Sequence, residues 1–186
     1  MTPAGPAACI VAVAGRRVDL PGASPERFPL RNRNRVRAGI ASSLSARPVS
    51  LVIASAACGA DLLALDAAAE LGIRQRIILP GSVEHFRAHS VTDRPGDWGP
   101  LFDRLTAEAE RRGDLVVLNG DPGDDAYVRT NMAVLDEGDA RADEAGAARM
   151  ALIAWDGESR GADDLTDQFR TEAIRRIWLV DEIRTR

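Results

Sequence analysis

The chain predicts an open, doubly wound α/β fold, a mainly parallel, Rossmann-like sheet with helices on both faces. Three observations carry this expectation. Short apolar, β-branched runs recur along the 186 residues. These runs are continuous rather than alternating, which suits strands buried on both faces. Stretches with helical spacing separate them, so strand and helix alternate about six times.

The elements follow in order. CIVAVA (9–14) is the first strand and ends at Gly15. A helix is predicted over 33–46. LVIASA (51–56) is the second strand, and the helix over 60–71 closes at Gly72, a residue favoured just past a helix end. RIIL (76–79) is the third strand, followed by a short helix carrying HFRAH. A helix over 98–112, closed by Gly113, leads to the strand LVVL (115–118). The next helix spans 126–148 and is expected to break at Gly138. MALIAW (150–155), a helix over 161–175 and IWLV (177–180) complete the pattern. Segments 19–30 and 92–99 are read as loops leaving the sheet. No internal repeat or boundary divides the chain, so residues 1–186 are expected to form a single domain.

Composition excludes several classes. With 45% hydrophobic and 28% charged residues the chain has the balance of a soluble globular protein. No run approaches the ~20 apolar residues of a membrane helix. The N-terminal MTPAGPAACIVAVAG has no positive charge ahead of its apolar run, so it reads as a tail entering a strand rather than a signal peptide. A cytoplasmic protein without a membrane partner is expected. Every basic residue is Arg, which removes a Walker lysine, a Schiff-base lysine and a lysine general base. The net charge of −4 offers no general attraction to nucleic acid. Cys9 and Cys58 should flank opposite ends of parallel strands, too far apart to bridge, so both are expected as free thiols.

In such a sheet ligands bind beyond the carboxyl ends of the strands. The exits to inspect are Gly15-Arg16-Arg17, then 55–61, 80–82, 119–121 and 156–166. In SAACGAD, Gly59 permits a sharp turn and close approach, and the helix opening at Ala60 offers free N–H groups and a positive dipole end. Asp61 would repel a phosphate on those same amides, so it is assigned to hydroxyls such as those of a ribose, or to helix capping. In WDGESRGADDLT, Gly157 and Gly161 permit close approach, while Ser159, Arg160 and Thr166 can donate to an anion. The Arg16-Arg17 pair at this strand exit suits bidentate phosphate contact, and Arg16 is taken as the ligand-binding member. Asn131 could reach inward beside Tyr127. The ligand-binding candidates are therefore Gly15, Arg16, Ser55, Gly59, Ala60, Asp61, Asn131, Asp156, Gly157, Ser159, Gly161 and Thr166. The underlying expectation is that two glycine corners share one rim and leave a cleft with main-chain donors between them.

Other features point to simpler roles. In RNRNRVR (31–37), Arg31 and Arg35 share one helix face while Arg33 and Arg37 share another, with no interleaved aromatics to stack bases. Solvated surface is expected. His85 and His89 could share a metal, but HFRAH is not HExxH and no third ligand is evident, so no metal is expected. Phe86, Trp98 and Phe102 should pack as a hydrophobic wall. The chain has no G-x-S-x-G, P-loop or G-x-G-x-x-G, so no catalytic set and no cofactor is assigned.

Taken in order, Gly15-Arg16, SAACGADLLALDAAAELG, IILPGSVEHFRAHSV, DWGPLFDRL and LIAWDGESRGADDLTDQF resemble the SLOG superfamily. This Rossmann-like group includes the lonely-guy nucleotide phosphoribohydrolases and DNA-processing protein A. The likeness runs from the first strand to Phe169 and is greatest to a branch with a Gly-Ala-Asp corner and a Trp-Asp-Gly strand exit. It implies nucleotide binding at Gly59 and the 157–166 loop. The phosphoribohydrolases carry P-G-G-x-G-T-x-x-E at that loop; here the paired glycines and the Glu are missing, leaving Asp163, Asp164 or Asp167 as substitutes. The expected function is binding or sensing of a nucleotide or nucleotide-derived phosphorylated molecule. N-glycosidic hydrolysis of nucleoside monophosphates is the alternative, single-stranded nucleic-acid binding the third reading, and a homodimer a possible form.

Overall fold

A computed structural model describes residues 8–119 and 123–186. The expected N-terminal tail and positions 120–121 of the fourth strand exit lie outside them. The strands are β1 (Cys9–Gly15), β2 (Val49–Ala54), β3 (Arg74–Leu79), β4 (Leu115–Val117), β5 (Ala148–Trp155) and β6 (Leu179–Arg184). They form one sheet in the order β4-β3-β2-β1-β5-β6, and every pairing is parallel. The chain winds outward from β1 to β4, then returns beside β1 with β5 and proceeds the other way. The order therefore reverses between β1 and β5, the switch point at which a crevice opens in such sheets.

The helices are α1 (Arg33–Ser45), α2 (Ala60–Glu70), α3 (Val83–Phe86), α4 (Gly99–Arg111), α5 (Asp124–Ala145) and α6 (Leu165–Arg175). A π-helical turn, Arg87–Val91, continues α3. Strand side chains alternate between faces. Val11, Val13, Val52 and Leu152 pack with Ile40 of α1, Leu63 of α2 and Phe102 of α4. Ile10, Ala12, Ile53 and Ile153 face the other way, onto Val134 and Leu135 of α5 and Phe169 of α6. Two apolar cores on opposite faces explain why the strand sequences carry no polar alternation. Phe86, Trp98 and Phe102 are buried as a wall, with the Phe86 and Phe102 rings 6.0 Å apart. Cys9 and Cys58 are free and buried.

Most elements are displaced by one to three residues from expectation, and three departures have a clear physical reason. The sixth strand is not 177–180: Ile177 is 92% exposed in a left-handed turn at φ 61°, and the strand runs Leu179–Arg184. The apolar run there is a turn plus an anchor, Trp178, which tucks under α5. Gly138 does not break α5, because it sits where Trp178 needs room; a Cβ there would lie 2.4 Å from the indole. The last helix starts at Leu165 rather than at position 161, because Asp164 caps it by accepting from the amides of Thr166 and Asp167. The 31–37 arginines disperse, as expected for surface: Arg31 pairs with Glu26, Arg37 with Asp66 and Glu70, and Arg33 lies 4.4 Å over Trp98. Among the described residues no helix is long and apolar enough to cross a membrane.

Candidate functional site

The switch point brings the exits of β1, β2 and β5 together. Arg16, the residue after β1, is only 4% exposed. Its Nε donates to Asp156 Oδ1 at 2.9 Å, and its two terminal nitrogens grip both oxygens of Asp164 at 2.6 and 2.8 Å. A further bond of 2.7 Å reaches the Glu158 carbonyl, and Arg27 completes the cluster on Asp156 Oδ2 at 2.5 Å. Burial opposes ionisation of Asp164, but the bonds from Arg16 and from the amides of Arg160 and Asp167 outweigh it and hold its carboxyl at about 2. Arg16 is thus an internal clamp with four of its five donors engaged.

The first glycine corner closes on the same segment. Gly59, at φ 100°, has a backbone conformation that L side chains rarely adopt, and a Cβ there would lie 2.6 Å from the Arg16 carbonyl oxygen. The Ala60 amide donates to that oxygen at 3.1 Å. A Cβ on Gly15 would collide with the Ala60 side chain and the Ala154 carbonyl, each at 2.4 Å. At the second corner, Asp164 takes the amides of Arg160, Thr166 and Asp167, and Ser159 Oγ accepts from the Gly161 amide. Gly157 lies against the Arg184 guanidinium, and Gly161 borders open space. The corners share one rim, but Arg16, Asp156 and Asp164 fill the space between them. The expected cleft of main-chain donors between Gly59 and Gly161 is therefore not formed.

A pocket of about 260 Å³ lies immediately beside this cluster. Gly15, Ser55, Asp61, Asn131 and Thr166 line it, five of the residues expected at the site. Arg16, Gly59, Ala60, Asp156, Gly157, Ser159 and Gly161 instead belong to the packed clamp and its loops. Asp61 is the buried acid of the pocket. Its Oδ2 accepts from the Ser55 hydroxyl at 2.7 Å and the Ala57 amide at 3.2 Å. Ala56, pinned between these two donors, has a left-handed φ of 69°. Burial pushes the Asp61 carboxyl up to about 6, against the pull of the Ser55 and Ala57 bonds and the nearby charge of Arg17. Arg17 lines the pocket, pairs with Asp93, and keeps a buried Nε with no hydrogen-bond partner. Across from them, Tyr127 and Ser90 share a hydroxyl–hydroxyl bond of 2.9 Å, and Asn131 Nδ2 donates to the Leu165 carbonyl at 3.1 Å.

Arg17 and Ser90 are the polar residues that the sequence reading did not assign. Arg16 and Arg17 are adjacent in an extended segment, so their side chains diverge, and nothing local tells which one turns inward. Ser90 lies in a π-helical turn that has no apolar period of its own. Among the described residues no group of three or more His, Cys, Asp or Glu could hold a metal ion.

Sheet order, helix placement and the switch-point pocket together define a Rossmann-like α/β protein. No family model matches the chain, and no curated protein matches it significantly. Among solved structures, DNA processing protein A (DprA) from Streptococcus pneumoniae is similar over 92% of this chain, at 15% identity and a TM-score of 0.42. The alignment spans 57% of that protein's length. Likeness at this level bears on neither ligand nor activity.

Proposed function

We propose that the pocket binds a nucleotide or nucleotide-derived phosphorylated small molecule. One observation carries the reading: a cation, Arg17, and a buried carboxyl, Asp61, line the same pocket at the switch point of a doubly wound sheet. Asp61 would accept from sugar hydroxyls, and Arg17 would meet the phosphate, the part first assigned to Arg16. The volume of about 260 Å³ is just below the ~300–1,000 Å³ range of small-molecule pockets. The resemblance of the strand exits to the SLOG superfamily agrees with a nucleotide-like ligand.

The hydrolase reading moves to a different residue. Asp164 is committed to Arg16 and to capping α6, so it has no free role in proton transfer. A carboxyl near pH 6 in a pocket is suited to acid–base work, which makes Asp61 the candidate for any N-glycosidic cleavage. Thermal-shift titration with nucleoside monophosphates and ribose 5-phosphate tests binding, and chromatography of released base tests turnover. Stabilisation that disappears in Arg17→Ala and Asp61→Asn is expected. No shift with any of these compounds at millimolar concentration rejects the proposal.

A further inference from the structure

We infer that the site has a second chamber, on the far side of Tyr127, that takes a nucleobase. This rests on the binding reading above and extends it to the class of ligand. A cavity of about 370 Å³ opens at the exit of β3, lined by Pro80, Gly81, His85, Phe86, His89 and Tyr127. Phe86 and Tyr127 also line the Asp61 pocket, so the two spaces meet at these two rings. The Tyr127 hydroxyl is tied to Ser90, which fixes the ring at that junction.

The two chambers differ in chemistry. The first sets a carboxyl, hydroxyls and an arginine among apolar side chains such as Val13, Val134 and Leu165. The second is mostly apolar, with flat ring walls. The imidazoles of His85 and His89 stack with centroids 4.1 Å apart and an interplanar angle of 23°. His89 Nδ1 lies 2.9 Å from the His85 carbonyl oxygen. A carbonyl can only accept, so Nδ1 donates to it, and Nε2 is the ring nitrogen left outside that bond. Planar rings on an apolar wall suit a heteroaromatic ring, which can stack on them. A polyol would find few partners there. Base and sugar of a nucleotide are joined by a single bond, and adjoining chambers, one holding the charged and hydroxyl groups and the other walled by rings, match that connection. Both histidines are exposed, so they do not serve the core.

Calorimetric titration of the intact chain with AMP, GMP, CMP, UMP and ribose 5-phosphate tests the inference. At least one nucleoside monophosphate should bind about tenfold more tightly than ribose 5-phosphate, as stacking on one aromatic platform provides. The double variant His85→Ala, His89→Ala should lose that advantage, while ribose 5-phosphate, which reaches only the first chamber, binds it as before. Both substitutions are at exposed positions, and circular dichroism checks that the fold is retained. Equal affinity of all five compounds, or a nucleotide advantage that survives the double substitution, overturns the second chamber and leaves the Asp61 pocket standing. Failure of all five to bind overturns both.

Discussion

Arg16 holds Asp164 through two near-parallel bonds of 2.6 and 2.8 Å, with both side chains buried. This pair ties the exit of β1 to the first turn of α6 across the switch point. Removing one partner of a buried ion pair strands the other charge, at a cost of roughly 3–5 kcal/mol. Arg16→Ala should lose that much stability in urea unfolding. Arg16→Lys keeps the charge but lacks the planar fork, so it should fall between variant and wild type. A loss below about 1 kcal/mol for the alanine variant would contradict the clamp, being no more than a surface ion pair provides.

Asp61 predicts a pH dependence of the opposite sign to that of Asp164. Its carboxyl stands at about 6 in the folded chain against an ordinary 3.8. Between these values the folded protein binds more protons than the unfolded one, so stability falls as pH rises. The contribution is complete below 3.8 and lost above 6, about 3 kcal/mol in all. Asp61→Asn should flatten this part of the curve, read from denaturation midpoints between pH 4 and 7. For Asp164, held at about 2, stability is present above 3.8 and is lost only as pH falls through 2. Parallel profiles for wild type and Asp61→Asn would exclude the raised value.

Ligand affinity should follow the same titration. Asp61 accepts from a hydroxyl when ionised, so ribose 5-phosphate should bind more tightly as pH rises through 6. Calorimetry at pH 5 and pH 7.5 measures this. Asp61→Asn should bind weakly at both, keeping only the step near pH 6 that the ligand's own phosphate contributes.

Gly59 and Gly161 share a positive φ, of 100° and 102°, but not an environment. Alanine at so positive a φ costs roughly 1–3 kcal/mol. At Gly161 that is the whole expected effect, since nothing lies within 4 Å of an added Cβ. At Gly59 the Cβ would also press on the Arg16 carbonyl at 2.6 Å, so the loss should be clearly larger. Equal melting temperatures for the two variants would refute this difference.

Gly138→Ala separates helix propensity from packing. Propensity alone favours Ala in a helix interior by about 1 kcal/mol. The added methyl would lie 2.4 Å from the Trp178 ring, and overpacking costs about 1–3 kcal/mol. The variant should be destabilised, with altered Trp fluorescence. A higher melting temperature would show that Trp178 yields freely.

Periodicity carried the fold because each strand writes both of its buried faces into consecutive residues. Boundaries were less legible where apolar residues serve turns: Ile177 and Trp178 look like strand and act as turn and anchor. The site was half legible. Ser55, Asp61, Asn131 and Thr166 have the polar types a pocket needs at the strand exits, and they do meet. Arg16 and Arg17 are chemically alike and adjacent, so choosing between them required the partners that α6 and the β5 exit bring from some 140 positions away.

The sequence by itself determined the parallel doubly wound sheet, the free cysteines and the rim on which candidate side chains gather, because these follow from local apolar pattern and from the rule for strand exits. The tertiary structure alone decided that the Gly59 corner packs on the Arg16 backbone and that the second corner is organised around Asp164. It also decided that Arg16 is spent as a clamp and that Asp61 is buried deeply enough to resist ionisation. Each of these depends on which distant charges and backbone atoms come within a few ångströms, and no spacing along the chain encodes that distance.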